Sequence, residues 1–155
     1  MSIYAAWLDE SGSNPAIDPN TYILSAVIGE AEHAPGIRES MRGLLVGKGH
    51  KKLHWRTEAA RRQELIVKTI AALEVEYLVV VRAGGPAAEK PERRRRLCME
   101  RMLPELVKMG VDEVVIESRG SKDDRRDVQR ALLRLHRIAG DPDRPLSPRN
   151  AKPQA

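Results

Sequence analysis

Two short β-branched runs, Val75 to Val81 and Val111 to Glu117, each follow a stretch whose apolar residues recur at helical spacing, and this alternation limits the fold more than any other feature. Runs of this length, bounded by glycines and a proline at 84–86 and by Gly110, read as buried strands. A strand that follows its neighbour through a helix lies parallel to it by a crossover. The helix between the two opens at Pro91, which suits a first turn, and carries Cys98, Met102, Leu106 and Met109 as a buried stripe. Gly110 is placed to end it and Pro104 is expected to kink it. The start of the chain has a different pattern. Ile3 to Leu8 and Thr21 to Ile28 are strand-like, with the turn formers Gly12, Asn14, Pro15, Pro19 and Asn20 between them, and predict an antiparallel hairpin.

The remaining elements follow from the same signals. After Pro35, Ile37, Met41 and Leu44 predict a short helix closed by Gly47 and Gly49. Leu53 to Trp55 is a brief, marginal strand. Thr57 is placed to cap a helix with Glu58 in its first turn and Ile66, Ile70 and Leu73 on its inner face. Ser121 opens a last helix with Val128, Leu132 and Leu135 on one side. The order β-β-α-(β)-α-β-α-β-α predicts an α/β domain, a mixed sheet flanked by helices. From Asp141 onward Pro142, Pro145, Pro148 and Pro153 stand among polar residues, so one domain over 1–140 and a flexible tail over 141–155 are expected.

With 27 Lys and Arg against 22 Asp and Glu the formal charge is +5, which favours a polyanionic partner such as nucleic acid. Aromatics are few (Tyr4, Trp7, Tyr22, Trp55 and Tyr77), so the nucleic acid backbone is a better handle than stacked bases. A single cysteine, Cys98, excludes an internal disulfide framework and a multi-cysteine zinc site, and suits a reducing, cytoplasmic compartment. No apolar run is long enough to span a bilayer and the first residues lack the pattern of a signal peptide. Neither a phosphate-binding glycine loop nor a nucleophile elbow is present.

The candidate chemistry lies in "WLDESGSN", where Asp9 and Glu10 follow an apolar run directly. Acids at strand ends on neighbouring strands can hold Mg²⁺ or Mn²⁺, because hard cations take oxygen ligands, and Glu117 ends the strand "VVIE" in the same way. Asp9, Ser11 and Gly12 also fit an Asx-type turn that closes a strand, with Glu10 and Glu117 solvated. His54 can act as a general acid or base, or as a structural residue between Leu53 and Trp55. Arg119, Lys122, Arg125 and Arg126 lie just past Glu117 and would flank a metal site as nucleic-acid-binding residues. Arg93 to Arg96, with Lys90 and Arg101, read as a solvated helix face, since four consecutive residues circle a full turn. Cys98 reads as a small core residue, and His33, His50 and His136 as surface residues.

"YAAWLDESGS", "YILSAVIG", "KLHWR", "EYLVVVR" and "VVIESRG" together resemble the domain of unknown function 3800 family, over about Ile3 to Ala139. The resemblance implies a ribonuclease H-like fold and a metal-dependent nuclease or phosphoryl-transfer site. Asp9 matches the family's first-strand acid, Glu10 the acid beside it, His54 the mid-chain histidine and Glu117 the acid ending the later strand. Two departures stand out. Lys52 replaces an acid that often precedes the mid-chain motif, and family members usually continue into another strand and a helix with a final Asp, where this sequence turns proline-rich after Ala139. Asp123, Asp124 and Asp127 could substitute, but Ser121-Lys122-Asp123-Asp124 is also a capping box. Two functions are therefore expected in competition: a Mg²⁺- or Mn²⁺-dependent nuclease, and a non-enzymatic binding or scaffold module of the same fold. An exposed sheet edge would favour pairing between copies.

Overall fold

The first strand runs further than its apolar residues alone suggest. In the structure, a computed structural model that describes residues 3–12, 19–47, 53, 55–86, 88–117, 125 and 151–154, strand β1 spans Tyr4–Gly12. It pairs antiparallel along its whole length with β2, Tyr22–Glu30, from Tyr4 opposite Glu30 to Gly12 opposite Tyr22. Asp9, Glu10, Ser11 and Gly12 therefore lie inside the hairpin ladder, and the expected turn at these residues is not formed. β2's backbone supplies partners for four residues whose side chains alone read as a turn.

Helix α1, Ala34–Arg42, starts with Pro35 in its first turn, and Leu44 just beyond it is buried. Of the run expected as a marginal strand, Trp55 starts a 3-10 turn, Trp55–Thr57, and His54 lies outside the described residues. Helix α2, Ala60–Ala71, begins at an Ala59 N-cap, so the N-cap position falls two residues after the expected Thr57; Ile66 is its buried residue. β3, Glu76–Arg82, pairs antiparallel with β2. Helix α3, Pro91–Lys108, runs through Pro104, and Gly110 beyond it takes φ +76, the left-handed conformation that glycine adopts most easily after a helix. α3 then leads to β4, Glu113–Glu117, parallel to β1. A further strand, β5, Ala151–Gln154, lies parallel to β4, so these four residues of the segment expected as a tail belong to the sheet.

The sheet order is β3-β2-β1-β4-β5, antiparallel on the β3 side and parallel on the β5 side, which makes it the mixed sheet expected. Strand residues alternate between its two faces. One face, with Ala6, Leu8, Leu24, Ala26, Ile28 and Val114, packs on α3 through Cys98, Met99, Met102, Leu103 and Leu106. The stripe read from the sequence holds at Cys98, Met102 and Leu106, whereas Met109 lies past the helix end and is exposed. The core thus sits between α3 and the centre of the sheet. Leu24 is 1% exposed within it. Leu24→Ala is expected to lower unfolding free energy by about 2–5 kcal/mol in urea denaturation, with the same cooperative transition.

Candidate functional site

β1 and β4 bring the two acids singled out in the sequence to one end of the sheet. Their last register pair is Leu8 with Ile116, so the next residue on each strand is Asp9 and Glu117. Neighbouring strands lie about 4.8 Å apart. On its other side Glu117 pairs with Gln154 of β5. The Asp9 side chain is exposed. Its Oδ1 accepts the Glu10 N–H at 2.8 Å, and its carbonyl accepts the Ser25 hydroxyl at 3.2 Å from β2. Among the described residues no cation pairs with the Asp9 carboxylate.

Glu10, its neighbour, is used differently. The pleat sends it to the opposite face, where Oε2 accepts hydrogen bonds from the Tyr22 hydroxyl and, at 2.5 Å, from Arg95 Nε on α3. The Arg95 side chain is only 4% exposed. Burying a guanidinium is tolerable only when a carboxylate or several acceptors meet it, and Glu10 supplies that counter-charge. The adjacent acids of "DESG" are therefore not brought together: Asp9 faces away from α3 and Glu10 is held against it.

Arg94 and Arg95 are both buried, which overturns the solvated-face reading for this part of the arginine run. Their positions explain it. They lie three and four residues before Cys98, so they continue α3's buried stripe towards its N-terminus, where it meets acids instead of aliphatic side chains. That spacing was the signal available in the sequence. The second acid is Glu89, with its side chain 3% exposed. It accepts from Arg82 Nε and Nη2, both at 2.9 Å, and from Arg93 at 3.2 Å, with Arg94 Nε 3.5 Å away. Arg94 also donates to the Pro19 carbonyl and, at 3.4 Å, to Asn20 Oδ1, tying α3 to the start of β2. Arg93 itself is exposed, as expected for that residue. Tyr22, Arg82, Glu89 and Asn20 were not read from the sequence as part of this cluster: Tyr22 and Asn20 act through partners on other elements, and Arg82 and Glu89, seven residues apart across a loop, have no periodic spacing to mark them.

Of the other sequence candidates, His54, Arg119, Lys122 and Arg126 lie outside the described residues, as do Asp123, Asp124 and Asp127. Arg125 is described and exposed. Cys98 is buried, and that burial pushes its thiol up from the ordinary value, in keeping with a core residue. His33 is exposed and, with Glu30 and Glu32, makes the group of potential metal ligands found among the described residues, their donor atoms within 4.8 Å of one another. That group is at the far end of the hairpin, where Tyr4 donates to Glu30 at 3.3 Å, and is separate from Asp9. No described helix is long and apolar enough to cross a membrane.

Compared with known proteins, no family model and no curated protein matches the chain. Among solved structures, a glutamine-to-alanine mutant of Bst-RNase HIII is similar over 99% of this chain and 45% of that one, with a TM-score of 0.53 and 18% identity. The fold is ribonuclease H-like. The chain spans less than half the length of that neighbour. In this ribonuclease H-like sheet, Glu117 ends β4, and Asp9 follows the last β1–β4 pair on the adjacent parallel strand, three residues before β1 itself ends at Gly12.

The Glu89 carboxyl is held below its ordinary value of 4.5, first by the Arg82 hydrogen bonds, with burial opposing and the Arg82 and Arg93 charges adding to the effect. A carboxyl lowered by folding stabilises the fold above the ordinary carboxylate value, and that contribution is lost as pH falls through the lowered value. Glu89→Gln is expected to reduce the melting temperature at neutral pH and to flatten its decline in acid. A wild-type-like acid limb in the variant would show that this cluster does not set it.

Proposed function

We propose that this chain is a divalent-metal-dependent nuclease or phosphoryl-transfer domain that acts on nucleic acid phosphodiesters and is related to the domain of unknown function 3800 family. The register of β1 against β4 carries this reading. Asp9 and Glu117 are the next residues after its last pair, where the parallel β1–β4 ladder stops and β4 ends, towards the carboxyl side of the parallel strands on which ligands of open α/β sheets usually bind. The ribonuclease H-like fold supports it at the level of architecture, and the net charge of +5 suits a polyanionic substrate.

The donor chemistry fits a hard cation. Both residues offer carboxylate oxygens, and Asp9 has no competing cation among the described residues. Mg²⁺ or Mn²⁺ held by Asp9 and Glu117 would supply Lewis-acid activation of water and neutralise charge at the phosphate. In hydrolysis the water oxygen bonds to phosphorus as the bridging P–O bond breaks, and the leaving alcohol takes up a proton. His54 is assigned to that proton transfer. Arg119, Lys122, Arg125 and Arg126 are assigned to the phosphates of the bound strand, which makes binding fall steeply with salt. Glu10 serves this site by anchoring β1 to α3 through Arg95. A reducing, cytoplasmic setting suits the buried Cys98 thiol.

A second reading has its own observation. With Glu10 engaged by Arg95 and Tyr22, two of the three acids expected as ligands are left, which favours a non-enzymatic binding module. Thermal melting during Mn²⁺ or Mg²⁺ titration separates the two. For the nuclease, metal raises the melting temperature of wild type but not of Asp9→Asn, which stays folded and loses cleavage of labelled DNA or RNA. Glu10→Gln, in contrast, lowers the melting temperature without metal, because Arg95 is left buried beside a neutral group. The absence of a metal shift in wild type at millimolar metal, with nucleic acid binding retained in Asp9→Asn, would support the binding module.

A further inference from the structure

β3 is an outer strand of the sheet. It pairs with β2 on one side, and no strand among the described residues lies on the other. α3 packs on one of its faces, where Leu78 and Val80 join the core. The opposite face carries Tyr77, Val79 and Val81, which are 50%, 54% and 54% exposed. Outer strands are usually protected from pairing by lysine, proline or a bulge. β3 reads Glu-Tyr-Leu-Val-Val-Val-Arg and follows β2 from Glu76 to Arg82 without a break in register, so it has none of these devices.

The strand also matches itself when reversed. Laid antiparallel on a second copy and centred on Val79, it sets Glu76 against Arg82, Tyr77 against Val81, Leu78 against Val80 and Val79 against Val79. Opposite charges meet at both ends, an aromatic meets a β-branched residue, and aliphatic residues meet in the middle, all favourable cross-strand pairs. Arg82 reaches Glu89 through Nε and Nη2, and Nη1 takes no part in those bonds. Sliding the register by two residues sets Arg82 against Leu78 or Glu76 against Val80. A parallel arrangement sets like charges side by side. The centred antiparallel register is therefore the favoured one, and its two-fold symmetry closes the assembly at two copies.

We propose that β3 is the seam of a homodimer, in which two copies pair antiparallel about Val79 into one continuous sheet. Tyr77, Val79 and Val81 of both copies then form a single apolar stripe on the face away from α3. This assembly does not depend on the reaction assigned to Asp9 and Glu117.

Sedimentation of the full chain across the micromolar range tests the state, and cysteine variants test the register. Wild type is expected to sediment as a dimer with a melting temperature that rises with concentration, and Val79→Lys as a folded monomer whose melting temperature matches that of wild type diluted to the monomer and does not change with concentration. Directly opposed antiparallel residues have Cα atoms about 4.5–5.5 Å apart, within the span of a disulfide. Mild oxidation is therefore expected to link Val79→Cys into a covalent dimer and to leave Tyr77→Cys unlinked, while a mixture of Tyr77→Cys and Val81→Cys chains links. The buried Cys98 offers no competing thiol. A wild-type monomer throughout, or a dimer that survives Val79→Lys, would overturn the proposal. So would Tyr77→Cys linking as fast as Val79→Cys. A Val79→Lys monomer that melts below wild type diluted to the monomer would also overturn it, and would mean that the chain itself covers the stripe.

Discussion

The pleat of β1 is the constraint on which the other features rest. This strand has a neighbour on each side, antiparallel β2 and parallel β4, and its residues must alternate between two different environments. Ala6 and Leu8 go to the α3 side and build the core. Glu10, next on that side, meets Arg95 where the core runs out. Asp9 goes to the other side, beyond the last pair with β4. A one-residue slip would reverse every one of these assignments, placing a carboxylate in the core and leucine in water. The same alternation thus holds the helix to the sheet and keeps one acid clear of buried cations.

α3 shows how charge can extend a core. Its buried stripe passes from Leu106, Met102 and Cys98 to Arg95 and Arg94 within one helix, and the sheet side changes in step from aliphatic residues to Glu10 and Glu89. Removing one partner of such a pair costs more than the pair contributes, because the remaining charge stays buried. The helix N-terminus is thereby fixed in position against β1, β2 and the segment before α3. If Asp9 serves a phosphodiester site, its strand is braced from behind by these arginines, and the arginines are committed to structure.

Much of the architecture was legible because its signals are local. Periodicity gave the hairpin and the helix between β3 and β4, and Pro91 and Gly110 marked the ends of α3 within a residue or two. The expected parallel pair of β3 with β4 is not formed: β3 pairs antiparallel with β2, and α3 carries the chain across β2 and β1 so that β4 lies parallel to β1. The failures share a different cause. Ser11 and Gly12 read as turn residues, yet β2 provides enough backbone partners to hold them extended. Thr57 read as a cap, but the chain makes a 3-10 turn there and starts α2 later. The burial of Arg94 and Arg95 depends on Glu89, Glu10 and the Pro19 carbonyl, partners that periodicity cannot name. At the candidate site the acids themselves were visible, but that β1 runs on past Asp9 to Gly12 while β4 ends at Glu117, and which acid faces which side, depended on the pairing. The short β5, with Pro153 in it, gave no strand pattern of its own.

Pro153 also makes the two outer strands of the sheet unlike. A proline is accommodated on an outer strand with its missing N–H turned towards solvent, and β5 is in addition only four residues long. A sheet with two open sides can add copies end on end without limit, whereas one with a single open side can grow by one step and then stops. Pro153 leaves β5 one backbone N–H fewer to offer a further strand, whereas β3, with no proline, keeps all of its own.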